Sequence, residues 1–317
     1  MKRKILFIGG AGFIGSHLVK FFQNNNDFSV FVFEPSFSNI SRLEKYKDSI
    51  KIIRGSLIDI DLLTSIIDDY NIDTVVHLVS TLIPDSSFKD YQAEFEDIIF
   101  PSTRLMQICA NKDVKFVYFS SGGTIYGNSE QGRAFVEEDS PAPISYYGLS
   151  KQILENSIKF ENRRENLKYL IIRPSNPFGS GQNINGNQGL IAVSLGKILA
   201  KKPIQIWGDG SSVRDYIYID DLAEAFHQLI INNVLNDTIN IGSGFGYSIN
   251  DIVEKLHNCI NKPFNVERIS KRDVDVDSMV LNISKLKKYT NVTHTHLEEG
   301  IKLFYNYINQ IINNDER

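Results

Sequence analysis

The sequence predicts an α/β protein built on a doubly wound parallel sheet. Short, almost wholly apolar runs recur through the first half of the chain, and stretches with helical spacing separate them. A glycine-rich turn follows the first run directly. Runs that are apolar at odd and even positions alike suit strands buried on both faces, and parallel strands need helical crossovers between them.

In order, the runs are Ile5–Ile8, Val30–Phe33, Ile50–Ile53, Thr74–Leu78, Val114–Phe119 and Tyr169–Ile172. Leu62, Ile66 and Ile67 mark one intervening helix; Leu105, Ile108 and Cys109 mark another. After Arg173 the texture changes. Pro174–Gly189 is rich in Pro, Gly, Asn and Ser and reads as loop. Helical patterns return at Leu190–Ala200, Asp220–Asn232, Ile249–Ile260 and Leu297–Ile312. The expected organisation is a larger domain from 1–173 with about 213–241, and a smaller, mostly C-terminal α/β domain from 174–212 and 242–317. No internal repeat or low-complexity tail is visible.

The bulk numbers exclude several functions. The 317 residues carry a net charge of -4 and a pI of about 5.9. That argues against a general nucleic-acid or membrane-surface binder, which shows a basic face. Cys109 and Cys259 are too few and too far apart for a disulfide framework or a metal site, and their apolar helical surroundings predict buried, inert thiols. The Ile5–Ile8 run is about half a signal-peptide core. No run approaches the roughly 20 apolar residues of a membrane span. Cytoplasmic location is expected by default.

Gly9-Gly10-Ala11-Gly12-Phe13-Ile14-Gly15 follows the first strand and opens a helix. Glycines let the chain turn tightly and approach a pyrophosphate, and the helix N-terminus offers N–H groups and a positive dipole end. Strand before and helix after make this a Rossmann-type dinucleotide turn. Glu34 ends the second run, 19 residues after Gly15. A carboxylate there accepts hydrogen bonds from the adenine-ribose hydroxyls and repels a 2′-phosphate. Pro35-Ser36-Phe37 follows, with no arginine beside it. NAD is therefore expected over NADP.

Tyr147 and Lys151 lie four apart at the start of a predicted helix and share a face. A phenol is a poor base near neutrality, and a neighbouring ammonium favours the phenolate. Such a pair takes a hydroxyl proton while the carbon gives up hydride to NAD. Tyr146 lacks a lysine at the fourth position. Upstream, Phe119-Ser120-Ser121-Gly122-Gly123-Thr124-Ile125-Tyr126-Gly127 leaves the end of a strand, where ligands sit in open parallel sheets.

With these motifs in this order, nearly the whole chain resembles the extended short-chain dehydrogenase/reductase family, in particular its nucleotide-sugar epimerase branch, which resembles UDP-glucose 4-epimerase. The resemblance implies Tyr147 as catalytic base and Lys151 as its electrostatic partner, also holding the nicotinamide ribose. It places Ser120 and Ser121 beside the nicotinamide, with Ser121 also toward substrate. Leu57, Leu78, Val79 and Ser80 match positions packing on the adenine and diphosphate. Four positions depart from the pattern. Gly122 stands where many relatives carry a Ser or Thr that hydrogen-bonds the reacting hydroxyl. Thr124 or Ser121 is the replacement, with Thr124 preferred. Ser56 replaces an adenine-contacting Asp, Ile99 an Asn, and Leu82 a Lys near the active site.

The resemblance extends to the substrate end. Asn176, in Pro174-Ser175-Asn176-Pro177-Phe178-Gly179, matches a diphosphate contact. Gln205 and Trp207 match residues flanking the nucleotide base, and Arg214 a phosphate ligand. Arg272 and Asp275 match a second clamp, on phosphate and ribose. His77 is expected to be a satisfied core histidine, and His294 and His296 suggest no metal. The expected reaction is 4-epimerisation of a nucleotide-activated hexose, UDP-linked by preference, through a 4-keto sugar. The alternative is an NAD(P)H-dependent reductase of a 4-keto-6-deoxy nucleotide sugar. A 4,6-dehydratase ranks last because Gly122-Gly123 lacks the family's acid pair. A non-catalytic cofactor-binding scaffold is disfavoured by the intact Tyr147 and Lys151. A homodimer, through helices near Gln92–Asn111 and Gly148–Glu165, is also implied by the resemblance.

Overall fold

The computed structural model describes residues 2–129, 132–270 and 276–315. The first half alternates strand and helix: β1 (Arg3–Ile8), α1 (Phe13–Gln23), β2 (Phe28–Glu34), a short 3-10 turn at Ser41–Tyr46, β3 (Ile50–Arg54), α2 (Ile60–Tyr70) and β4 (Thr74–His77). α3 (Phe88–Glu94) passes through one π-helical turn, Phe95–Ile99, into α4 (Phe100–Asn111), then β5 (Lys115–Phe119), α5 (Tyr146–Glu165) and β6 (Tyr169–Pro174). Caps set the ends where the sequence supplies them. Asp59 accepts from the Leu62 amide to start α2, and Asn71 ends it at φ +49°.

The second half contains β7 (Asn176–Phe178), α6 (Leu190–Leu199), β8 (Ile204–Trp207), β9 (Val213–Tyr218), α7 (Ile219–Ile231), β10 (Asp237–Ile241) and β11 (Gly246–Ser248). α8 (Ile249–Cys259), β12 (Val266–Ile269), β13 (Ser278–Met279), α9 (Leu286–Tyr289) and α10 (Leu297–Asp315) complete it. Among the described residues, no helix is long and apolar enough to cross a membrane.

Seven strands form one sheet in the order β10-β6-β5-β4-β1-β2-β3, and every pairing is parallel. β10 is an addition to the six apolar runs. Its Asp237 and Asn240 interrupt the apolar signal, and Asn240 is buried by bonding sideways to Phe135 O and Tyr126. Alternate side chains of each central strand feed two different cores. Ile5 and Phe7 pack with Leu18, Phe22 and Phe226 on the α1/α7 side. Leu6 and Ile8 pack with Leu63, Leu105 and Leu154 on the α2/α4/α5 side. This is a doubly wound, Rossmann-type fold. The chain order reverses between β1 and β4, so their C-terminal ends flank the crevice where such sheets bind ligands.

A smaller core gathers α6, α8, α10 and β8 around Leu195, Ile206, Leu256 and Phe304. β9 pairs with β7, β11 and β13, not with the large sheet, while α7 packs on α1. One expectation about cysteine is corrected. Cys109 is buried, but Cys259 is only partly so, because it sits where α8 meets α10 and its thiol faces the Glu298 carbonyl.

Candidate active site

The glycine turn is shaped by close approach. Gly9 has φ +85°, and a side chain on Gly15 would put Cβ 2.5 Å from Gly9 O. Gly12 differs: a Cβ there would meet only Gly9 O, at an ordinary 3.4 Å, so its outer side is open. Gly12 is also the N-cap of α1, with no side-chain cap and no acidic residue in the first turn. The amides of Phe13 and Ile14 thus point, uncapped, into an open cradle suited to a diphosphate. Leu78 and Val79 wall the turn, since a Cβ on Gly9 would touch Val79 Cγ2 at 2.9 Å and Leu78 Cβ at 3.5 Å. Leu57 is buried beside α2, and Ser56 is exposed.

Glu34 is buried and its Oε1 accepts the Ala11 amide at 2.6 Å, so the carboxylate also fastens the turn. The absence of a neighbouring arginine holds along the chain but not in space. Arg54 pairs with Glu34 across β2 and β3, and its guanidinium donates to Pro35 O at 2.8 Å and Ser38 O at 3.1 Å. Strand pairing, which local sequence does not reveal, brings it there. Arg42, equally unforeseen, donates to Gly181 O at 3.1 and 3.0 Å and ties the turn region to the loop after β7.

At the end of β5, Ser120 and Ser121 are buried, and α5 begins opposite them. Ser145 caps α5, accepting from the Gly148 amide at 3.2 Å. Gly148 lets the helix seat closely, because a Cβ there would lie 2.7 Å from Thr124 O. Burial raises the Tyr147 phenol pKa to about 12; the nearby Ser121 hydroxyl works against this rise, and Glu94 adds to it. Lys151 is 3% exposed, and its Nζ donates to Phe119 O at 3.1 Å and lies 5.4 Å from the Tyr147 ring centroid. Burial brings its pKa down to about 8, opposed by Glu94 and Glu155. The structure thus brings Tyr147, Lys151, Ser120 and Ser121 together. Thr124 lies in the same segment; its Oγ1, like Ser120 Oγ, is buried without a partner.

Gly122 has a physical reason. A Cβ there would meet Leu281 Cδ1 at 2.7 Å and Pro174 O at 3.0 Å. Leu281 fills the space a hydroxyl-bearing side chain would need. Ser80 is not free either, since its Oγ donates to Glu94 Oε1 at 2.8 Å. His77 is buried but only half satisfied: Nε2 meets Ser102 Oγ at 2.8 Å, while Nδ1 has no partner. Desolvation takes its pKa down to about 3, so it is neutral.

Toward the substrate end, Asn176 donates to Asp215 O at 2.8 Å, while its Oδ1 and Ser121 Oγ face the bare side of Gly123. β8 alternates, burying Ile204 and Ile206 and turning Gln205 and Trp207 outward on one face. Trp207 is 41% exposed, and Gln205 accepts from Lys197 at 3.1 Å. Arg214 lies mid-sheet on β9, opposite Tyr247 and Met279, and donates to Val213 O at 2.9 Å. Arg272 and Asp275 lie outside the described residues. The residue after Arg214 organises this region. Buried Asp215 accepts from the amides of Ser243, Gly244 and Leu281.

Comparison with known proteins agrees with this geometry. Residues 5–242 match the NAD dependent epimerase/dehydratase family. The chain belongs to that family. It is 32% identical, over 90% of each chain, to a dTDP-4-dehydro-6-deoxyglucose reductase of Escherichia coli. It is 31% identical to a putative UDP-glucose 4-epimerase of Methanocaldococcus jannaschii, over 96% of this chain and 98% of the relative. Among solved structures, a UDP-glucose 4-epimerase of Thermotoga maritima holding UDP-glucose superposes with a TM-score of 0.90 at 29% identity, over 98% of this chain and 99% of that one. As a member of the NAD-dependent epimerase/dehydratase family, the protein is an enzyme that uses NAD. The uncapped start of α1, the open side of Gly12 and the unpartnered Ser120 Oγ and Thr124 Oγ1 fit that cofactor.

Proposed function

We propose that the chain is a 4-epimerase of a nucleotide-activated hexose, with UDP sugars as the first substrates to test. The observation that carries this reading is the buried Lys151 Nζ 5.4 Å from the Tyr147 ring centroid and bonded to Phe119 O, at the C-terminal edge of the sheet. NAD, held at the Gly9–Gly15 turn and beside Glu34, would supply reversible hydride chemistry. Tyr147 takes the C4 hydroxyl proton, and Lys151 stabilises the phenolate that this requires. Ser121 orients the phenol and the C4 oxygen. Ser120 Oγ and Thr124 Oγ1 are unpaired polar atoms available to cofactor and sugar. The 4-keto sugar presents its other face, and Tyr147 returns the proton to the new C4 oxygen. Asn176 and Arg214 would hold the diphosphate, with Gln205 and Trp207 flanking the base; Arg272 and Asp275 keep the roles that the resemblance implies. Glu34 favours NAD over NADP at the adenine ribose.

A second reading has its own support. The Escherichia coli relative is named as a reductase of a 4-keto-6-deoxy sugar nucleotide. Reduction uses the same Tyr147 and Lys151 but consumes reduced cofactor each turn. Exposed Phe95, Phe100 and Phe160 on the π turn, α4 and α5 support a homodimer through those helices. Incubation with UDP-hexoses and no added cofactor tests the proposal. The C4 epimer is expected; its absence, with NADH consumed stoichiometrically when a 4-keto-6-deoxy sugar nucleotide is supplied, favours the reductase.

A further inference from the structure

The segment from α3 to α4 buries a carboxylate beside α5. Ile98 and Ile99 of the π turn pack into the apolar core, and Glu96 and Asp97 face solvent. Glu94, immediately before the turn, is 1% exposed. Such wide turns rotate the helix behind them and are frequent at functional sites.

The Glu94 carboxylate accepts four hydrogen bonds. Ser80 Oγ reaches Oε1 at 2.8 Å; the Thr81 amide and hydroxyl reach Oε2 at 2.8 and 2.5 Å. Ser150 Oγ, on the residue next to Lys151, reaches Oε1 at 3.4 Å. Ser80 and Thr81 continue directly from Leu78 and Val79, which wall the glycine turn. One side chain therefore links the cofactor turn to the catalytic helix. The other buried carboxylate near Lys151, Glu155, is paired bidentately with Arg173 at 2.9 and 2.6 Å. Among the described residues, Glu94 has hydroxyl and amide partners and no ion pair.

We propose that Glu94 is a positioning residue: it holds the Ser80–Thr81 strip against α5 and supplies the fixed negative charge against which Tyr147 and Lys151 work. The proposal rests on the Tyr147–Lys151 reading above and adds a residue to it. The other titratable groups around the pocket do not compete for this role. His77 on β4 is neutral because burial lowers its pKa to about 3, and burial raises Tyr118 on β5 well above the usual phenol range. Glu94 disfavours the Tyr147 phenolate and favours the Lys151 ammonium. Removing its charge therefore moves both titrations to lower pH.

The test compares the NAD-loaded protein with Glu94→Gln, each also as a Tyr147→Phe version, so that the difference in phenolate absorbance isolates Tyr147. The phenolate is expected about one pH unit lower in Glu94→Gln, the scale set by one charge a few ångströms away. With UDP-glucose as activity probe, the alkaline limb of the rate profile falls in the same direction. A folded Glu94→Gln protein with an unshifted Tyr147 titration and merely reduced thermal stability overturns the proposal. If Glu94→Gln does not fold, Glu94→Asp carries the test. It draws the charge back by one methylene and is expected to shift the titration the same way by less, and a wild-type titration with wild-type rate overturns the proposal. Turnover retained by Tyr147→Phe would instead sink the underlying reading, whatever Glu94 does.

Discussion

The proposed mechanism needs Lys151 as an ammonium while Tyr147 acts as base, and burial brings the Lys151 pKa down to about 8. The sign follows. The cation is present below that value and is lost as pH rises through it, so turnover should fall above about pH 8. A kcat profile that stays flat to pH 10 would contradict this role. The Tyr–Lys spacing was legible because both residues lie on one helix turn. The consequence of Gly122 was not, because the atom that fills its space belongs to Leu281, far along the chain. Sequence placed a missing hydroxyl there; the structure places a packed leucine. Gly122→Ser should therefore cost about 1–3 kcal/mol through overpacking, read by denaturant unfolding. Leu281→Ala in the same chain should recover part of that loss.

At the scale of elements, the β1–α1 turn was legible in full, since glycines, strand and helix are contiguous. Its support was not. The Ala11 amide is held by Glu34 from β2, and Arg54 reaches the following loop from β3. Both follow from strand order, which local patterns do not encode. On the proposed reading Glu34 also faces the adenine ribose, and Glu34→Gln separates that role from its bond to Ala11. The amide oxygen still accepts from Ala11, while the carboxylate proposed to select against a 2′-phosphate is gone. NADP affinity should rise relative to NAD with little change in thermal stability, measured by titration with each cofactor. An unchanged preference would remove Glu34 from cofactor selection. Glu94 was invisible for a similar reason. Its partners Ser80, Thr81 and Ser150 come from a strand end and a distant helix.

At the scale of the molecule, apolar runs announced six of the seven parallel strands; in the central ones burial on both faces leaves little room for polar residues, while edge strand β3 still carries Ile50, Ile52 and Ile53. The seventh, β10, is an edge strand whose buried Asn240 satisfies itself sideways, so hydropathy undersold it. The smaller core was legible as helices, but its short strands pair across long separations. Phe100 on α4 is 58% exposed, and Phe160 on α5 is also exposed. If those helices form a homodimer, Phe100→Glu should shift the protein toward monomer in sedimentation velocity; an unchanged mass would place the contact elsewhere. The central claim is that one sugar carbon is oxidised and re-reduced within a single site. Its most direct test uses UDP-glucose deuterated at C4, given to the purified enzyme without added cofactor. The account predicts a C4 epimer that retains the deuterium at C4. Failure to form that epimer, or an epimer whose deuterium has been lost to solvent, would contradict it.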